Sequence, residues 1–287
     1  MQRITQRNLA ITPIEREPAV RGPRGEKLDF ELLYSDGVPL DTVQHRLQMN
    51  LLIELTDLLM ADRGRTDYYT GGDMFLYYSV EQARFIAENA PGPDQPPSPE
   101  YRQYIGPDYF FVAGAPWRDG RKVWITWQED NRYPQVIVEL TSPSTAKIDR
   151  TVKKQRYESL FKTAEYYMYR PGRDSFDAYH LGPKARYRKA VQKPALPNAR
   201  TVSRQWVWSD QLGVWLGLWQ GIFARYSGLW LRFYDADGRL IANQRERADD
   251  HKKRAEDQKK RADAAHAEIQ RLRALLADKG VATPDPK

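Results

Sequence analysis

A chain of 287 residues that is 41% hydrophobic and 12% aromatic can bury a core of ordinary size, which excludes a wholly disordered protein. Cysteine is absent, so disulfides, thiol nucleophiles, iron–sulfur clusters and Cys-ligated zinc are excluded together, and His45, His180, His251 and His266 are too scattered for a histidine metal site. Lys and Arg number 45 against 38 Asp and Glu, a net +7 that permits a polyanionic partner without requiring one. The longest apolar stretches, such as Leu212 to Trp219, fall short of the roughly 20 residues that cross a bilayer. No apolar run follows the early arginines, so no secretory leader and no membrane association are expected, and the cytoplasm is the expected location.

In chain order, residues 1–40 are polar, Arg-rich and broken by Pro13, Pro18, Pro23 and Pro39, which reads as a loosely ordered or late-docking arm. A helix is expected from about Asp41, where Val43, Leu47, Leu51, Leu52, Leu55, Leu58 and Leu59 recur at helical spacing. Thr70 to Tyr78 reads as one strand after a Gly71-Gly72 turn, and the prolines between Pro91 and Pro99 as an extended loop. Tyr109–Val112 and Val136–Leu140 look like central strands, and a helix is predicted from about Ile148 to Lys162. Glu165–Tyr169 and Phe176–Leu181 follow as strands, with Ala185–Lys189 returning as a hairpin partner across Gly182-Pro183-Lys184. The expected class is α/β with a mixed sheet, the principal domain spanning residues 41–240.

From Gln205 to Tyr234 the chain holds Trp206, Trp208, Trp215, Trp219 and Trp230; these are expected to cap the sheet and fill its core, with a base-stacking platform as the alternative. Residues 241–287 change character. The seven-residue repeat RADDHKK, RAEDQKK, RADAAHA places Ala248, Ala255, Ala262, Ile269 and Leu276 on one stripe, joined by Leu272. Either a short coiled coil or a single solvated helix fits; its bases are balanced by acids, so it does not read as a nucleic-acid arm.

Asp108, after Pro107, opens one apolar strand, and Glu139 lies near the end of another, where an unpartnered charge is costly. If the two strands are neighbours, the carboxylates converge and repel, which a divalent cation such as Mg²⁺ or Mn²⁺ relieves; ordinary ion pairing is the competing explanation. In the following helix Asp149, Lys153 and Tyr157 stand at i, i+4 and i+8 and share a face. Beside a carboxylate pair, Lys153 could orient or deprotonate a water or offset charge on phosphate; the competing reading is a surface Asp–Lys pair worth about 0.3–0.5 kcal/mol.

The segments GPDYFFV, RYPQVIVELTSPSTAKIDRTVKKQRYESLFKTAEYYMYRP and AYHLGPKARY resemble the Uma-two family of restriction-endonuclease-like proteins, part of the PD-(D/E)xK nuclease superfamily. The resemblance runs from about Asp41 to Tyr234. It implies a restriction-endonuclease-like fold, a four-stranded mixed core sheet flanked by helices, and Mg²⁺-dependent hydrolysis of phosphodiester bonds in nucleic acid, with DNA the expected substrate. Position by position, Asp108 matches the first acid and Glu139 the second. The lysine usual two residues further on is Thr141 here, so the resemblance implies that Lys153 takes its place, with Lys154 a lesser substitute. Asp149 and Tyr157 match helix positions that support the site. On this reading Asp108, Glu139 and the backbone carbonyl of Leu140 hold the metal, and His45 is a secondary candidate near the site.

Two other classes stay open. One is a catalytically weak or inactive module on a nuclease fold that binds a partner or forms a homodimer, through the core or the C-terminal helix. The other is a sugar or phosphate-ester hydrolase using the two acids as acid and base, whose activity would survive a chelator. Nothing in the sequence resembles a separate sequence-reading domain, so restriction-type specificity is not expected.

Overall fold

A computed structural model describes residues 20–34, 42–90, 106–199, 201 and 203–278. The elements are α1 (Val43–Asp62), β1 (Tyr68–Gly71), β2 (Leu76–Tyr77), α2 (Val80–Glu88), β3 (Tyr109–Ala113), β4 (Trp124–Ile125) and β5 (Val136–Leu140). A continuous helical stretch over residues 146–161, α3, leads to β6 (Glu165–Tyr169), β7 (Phe176–Leu181), β8 (Tyr187–Lys189) and β9 (Gln192–Lys193). β10 (Trp206–Ser209), β11 (Val214–Phe223), β12 (Tyr226–Tyr234) and α4 (Gln244–Asp278) complete the described chain. It is a mixed α/β protein with a long C-terminal helix. Among the described residues no helix is long and apolar enough to cross a membrane. The proline-rich segment 91–99 and most of the N-terminal arm lie outside the described residues.

The described residues divide into two compact units, one drawn from within residues 1–43, 67–170 and 176–189, the other from within residues 44–66, 171–175 and 190–287. The first is built on a six-stranded sheet ordered β1-β3-β5-β6-β7-β8. Only β5 and β6 run parallel, joined by α3 as a crossover; their neighbours pair antiparallel. Six strands are found where the resemblance implied four. Side chains alternate along a strand, so Phe110 and Val112 of β3, Ile137 of β5, and Tyr166 and Met168 of β6 point to one face, where they meet Tyr157 and Phe161 of α3.

The stretch predicted as one strand from Thr70 to Tyr78 is instead two. Asp73 takes a left-handed conformation (φ 50°) that ends β1, and β2 pairs with β4 in a separate two-stranded parallel sheet. Of the expected arm, Val20, Phe30, Leu32, Leu33 and Tyr34 pack against Phe75, Tyr77 and Ile86. α3 starts two residues earlier than its periodicity suggests, where Ser142 and Thr145 exchange hydrogen bonds between backbone N–H and hydroxyl (3.1 and 3.2 Å). It stops at Lys162, left-handed at φ 50°, with the Thr163 N–H donating to the Tyr157 carbonyl six residues back (2.9 Å).

The second unit corrects the expectation for the tryptophans. They lie in a sheet of their own: β9 to β12 form a four-stranded antiparallel sheet, ordered β12-β11-β10-β9. Trp206 and Trp230 are fully buried, and Trp206 meets Tyr234 edge-on at 4.6 Å, so neither offers a stacking surface. Gln48 of α1 extends the edge of β12: its Nε2 donates to Leu231 O (3.0 Å) and its Oε1 accepts from Leu231 N (2.8 Å). α4 starts in a reciprocal cap, Glu246 N–H donating to Asn243 Oδ1 (2.9 Å) and Asn243 N–H to Glu246 Oε2 (2.8 Å). Glu246 also receives two hydrogen bonds from the fully buried Arg232.

Candidate active site

The site lies in the first unit, where the ends of β3 and β5 meet α3. Tyr109 pairs with Val138 across the antiparallel ladder, so continuation of that register sets Asp108 opposite Glu139. The expected convergence of the two acids is therefore a consequence of strand pairing. Asp108 is tied down by its neighbour strand: the Leu140 N–H donates to Asp108 Oδ2 at 2.7 Å. Leu140 thus brings its backbone to the site through the N–H, and Thr141, where the superfamily lysine would stand, is buried with its N–H on the Tyr169 carbonyl (2.8 Å).

Glu139 shares the face of Ile137 and points at α3, where it is completely buried. Two residues of the helix meet it. Lys153 Nζ donates to Glu139 Oε2 at 2.9 Å, and the Tyr157 hydroxyl donates to Oε1 at 2.7 Å. Asp149, one turn before Lys153, places Oδ1 3.5 Å from the same ammonium. An α-helix turns about 100° per residue, so positions four apart drift by about 40° at each step. α3 opens into wider π-type turns at Asp149–Lys153 and Tyr157–Phe161; the first spans the step from Asp149 to Lys153 and offsets drift there, and Lys153 and Tyr157 both reach Glu139. These turns left no mark that the sequence pattern could reveal.

Charge is concentrated here away from water. Burial pushes the Glu139 carboxyl well above the usual carboxylate range; Lys153 pulls it back, while Asp108 and Asp149 push it further up. Burial raises Asp149 in the same way, with Lys153 opposing and Asp108 adding. Burial works to lower Lys153, but the charges of Glu139, Asp149 and Asp108 outweigh it and hold the ammonium protonated above its ordinary value. The Tyr157 hydroxyl is pushed well up, first by burial and then by Glu139, so it stays a donor.

Three acids against one ammonium leave a formal charge of −2 when all are ionised. Asp149 Oδ1 is buried and receives no hydrogen bond. Both features suit a divalent cation with oxygen ligands. Among the described residues no three Asp, Glu or His side chains converge as a ready-made metal cluster; Glu139 and Asp149 meet at Lys153 instead.

The remaining expectations divide cleanly. Lys154, the lesser substitute, turns away and lays its ammonium over the Tyr179 ring at 3.6 Å. His45 is buried on α1, in the second unit. The Asp149–Lys153 pair is not the surface pair that its spacing allows, since the side chains are 2% and 11% exposed. One contributor was missed: the buried Tyr166 hydroxyl of β6 donates to the Asp149 carbonyl at 2.9 Å. Strand alternation in Glu165–Tyr169 places Tyr166 on the α3 face, and that was the available signal.

A model of the Uma2 family, described as “Putative restriction endonuclease”, matches residues 25–209, about two-thirds of the chain. No curated protein matches the chain.

Proposed function

The chain belongs to the Uma2 family, and from that premise we propose that it is a metal-dependent endonuclease hydrolysing phosphodiester bonds in DNA. The observation that carries this reading is the buried Glu139, facing Asp108 across the sheet and bonded to a protonated lysine from α3. Asp108 and Glu139 would hold Mg²⁺ or Mn²⁺, with the Leu140 carbonyl as a further oxygen. A divalent ion in such a site supplies Lewis-acid polarisation of a phosphate and a more acidic water.

The side chains supply the rest. Lys153, held as the ammonium by its acidic neighbours, acts as a cation that positions an oxygen nucleophile or offsets charge gathering on the phosphate. Tyr157 fixes one oxygen of Glu139 and so orients the carboxylate. Asp149 holds Lys153 from the other side, and Tyr166 anchors that turn of the helix.

A second reading has one observation in its favour. α4 is exposed along nearly its whole length, with Ile269, Leu272, Leu275 and Leu276 between 40% and 50% open to solvent, as a homodimerising or partner-binding module would present it. Supercoiled plasmid and labelled single- and double-stranded DNA and RNA oligonucleotides, incubated with Mg²⁺, Mn²⁺ or EDTA, separate the readings. Nicking that needs metal and favours DNA is expected. Cutting in EDTA would contradict metal dependence, and no cutting of any substrate would favour the binding module.

A further inference from the structure

The outward side of α3 and the sheet edge beside it carry charges that the acid site does not use. β8 is the outer strand of the six-stranded sheet, joined to β7 by a tight turn closed by Gly182 N–H to Arg186 O (2.9 Å), with Ala185 left-handed at φ 49°. The register sets Tyr179 opposite Lys189 and Leu181 opposite Tyr187, so these residues share one face. Tyr179 and Tyr187 pack against the core under α3, which identifies that face as the one bearing the helix. Arg188, paired with His180, points the other way.

From α3, Lys154 lies 3.6 Å from the Tyr179 ring centre and Arg150 reaches Asp177 at 3.7 Å. Tyr187 stacks on Tyr166 at 5.9 Å, and Tyr166 bonds the backbone of Asp149. Cations and aromatic rings therefore form a shelf that starts at the acid site and ends at the sheet edge. Among the described residues the ion pairs on this side are Arg150–Asp177 and Arg186–Glu158, and Lys154, Lys184 and Lys189 are in neither. Burial, aided by the nearby charge of Lys189, holds the Lys154 ammonium below its ordinary value despite Glu158 and Asp177. Crowded like charges are a cost that a bound anion relieves. Strands about 4.8 Å apart put β7 and β8 about 10 and 14 Å from β5, or about three to four nucleotides at about 3.4 Å of rise each.

We propose that Arg150, Lys154 and Lys189, over Tyr179 and Tyr187, form the track that holds the phosphodiester backbone of a nucleic-acid strand beside the acid site. This rests on the nuclease reading of that site. The track touches phosphates and rings, so it holds a strand without reading its sequence.

The test is fluorescence anisotropy of labelled duplex and single-stranded oligonucleotides with the full chain in EDTA, across a salt series, so that no cleavage interferes. Lys189→Ala and Arg150→Ala are each expected to flatten the slope of log affinity against log salt by about 0.9 on duplex or about 0.7 on a single strand. Arg188→Ala, on the opposite face, and Lys253→Ala, on α4, are expected to leave the slope unchanged. All four are exposed positions, and circular dichroism with thermal melting confirms that each variant folds. Equal slopes for all four variants, or no salt-dependent binding by the wild type, overturn the track. Wild-type cutting with unaltered slopes in Lys189→Ala and Arg150→Ala would sink the track and spare the nuclease. Flattened slopes in a protein that cuts nothing would do the reverse.

Discussion

Asp149–Lys153 on α3 and Asp250–Arg254 on α4 are the same device in sequence, an acid followed by a base one helical turn later. In the first pair the side chains are 2% and 11% exposed at 3.5 Å; in the second they are 54% and 73% exposed at 2.8 Å. The shorter pair is the weaker one. In water an i,i+4 pair contributes about 0.3–0.5 kcal/mol, because high dielectric and side-chain entropy cancel most of the attraction. The pair on α3 has lost its water and shares its ammonium with Glu139, so each of its charges depends on the others. What decides the meaning of a charged pair here is the surface the helix lies on. α3 packs on a sheet with an acid in its face, and α4 projects about 52 Å at 1.5 Å per residue with almost nothing against it.

The largest test of this contrast is Lys153→Met, which leaves Glu139 and Asp149 buried without their counter-charge. A loss of about 3–5 kcal/mol in urea unfolding at pH 8 is expected. The sign of its pH dependence follows from Glu139, whose carboxyl already lies above the usual range and rises further without Lys153. Such a group contributes stability below its unfolded value and loses it as pH rises through the folded one, so the gap to wild type should narrow on acidification towards pH 5. A gap that is constant with pH would mean that Glu139 is not the group left stranded.

Glu246→Ala tests the one point where α4 resembles α3. It removes the Asn243 N–H bond to the Glu246 carboxylate, leaving the backbone half of the cap, and both hydrogen bonds from the buried Arg232, and should cost about 2–4 kcal/mol. A loss under about 0.5 kcal/mol would place Arg232 in a less demanding environment than its burial indicates. Tyr157→Phe deletes one donor to Glu139 and should cost about 1–3 kcal/mol, read by thermal melting with the fold unchanged. At the far end of the scale, Asp250→Ala should change stability by no more than about 0.5 kcal/mol.

The same contrast explains what could be read from the chain. Strands β3, β5, β6 and β7 were legible because each is a short apolar run bounded by turn residues, and α3 because Ile148, Val152, Leu160 and Phe161 recur at helical spacing. Asp108 and Glu139 stood out because a carboxylate in an apolar strand is expensive and wants a reason. Less visible was everything set by long-range packing. The split at Asp73 depends on which sheet each half joins, and the tryptophans from Trp206 to Trp230 gather in a sheet whose separateness no local pattern encodes. Spacing alone gave Asp149 and Lys153 one face but could not say whether that face was wet or dry. Tyr166 lay in plain view in Glu165–Tyr169, and only its alternation with Tyr167 marks it as facing the helix.

The central claim is that Glu139 is the second acid of a nuclease site, and Glu139→Gln tests it with little change of shape: the amide oxygen accepts from one of Lys153 and Tyr157, its NH2 faces the other, and Asp149 remains as a counter-charge to Lys153. Nicking of supercoiled plasmid in Mg²⁺ should fall to background in this variant, at a temperature where circular dichroism shows it folded. Wild-type nicking by a well-folded Glu139→Gln protein would contradict the account and place the chemistry elsewhere in the chain.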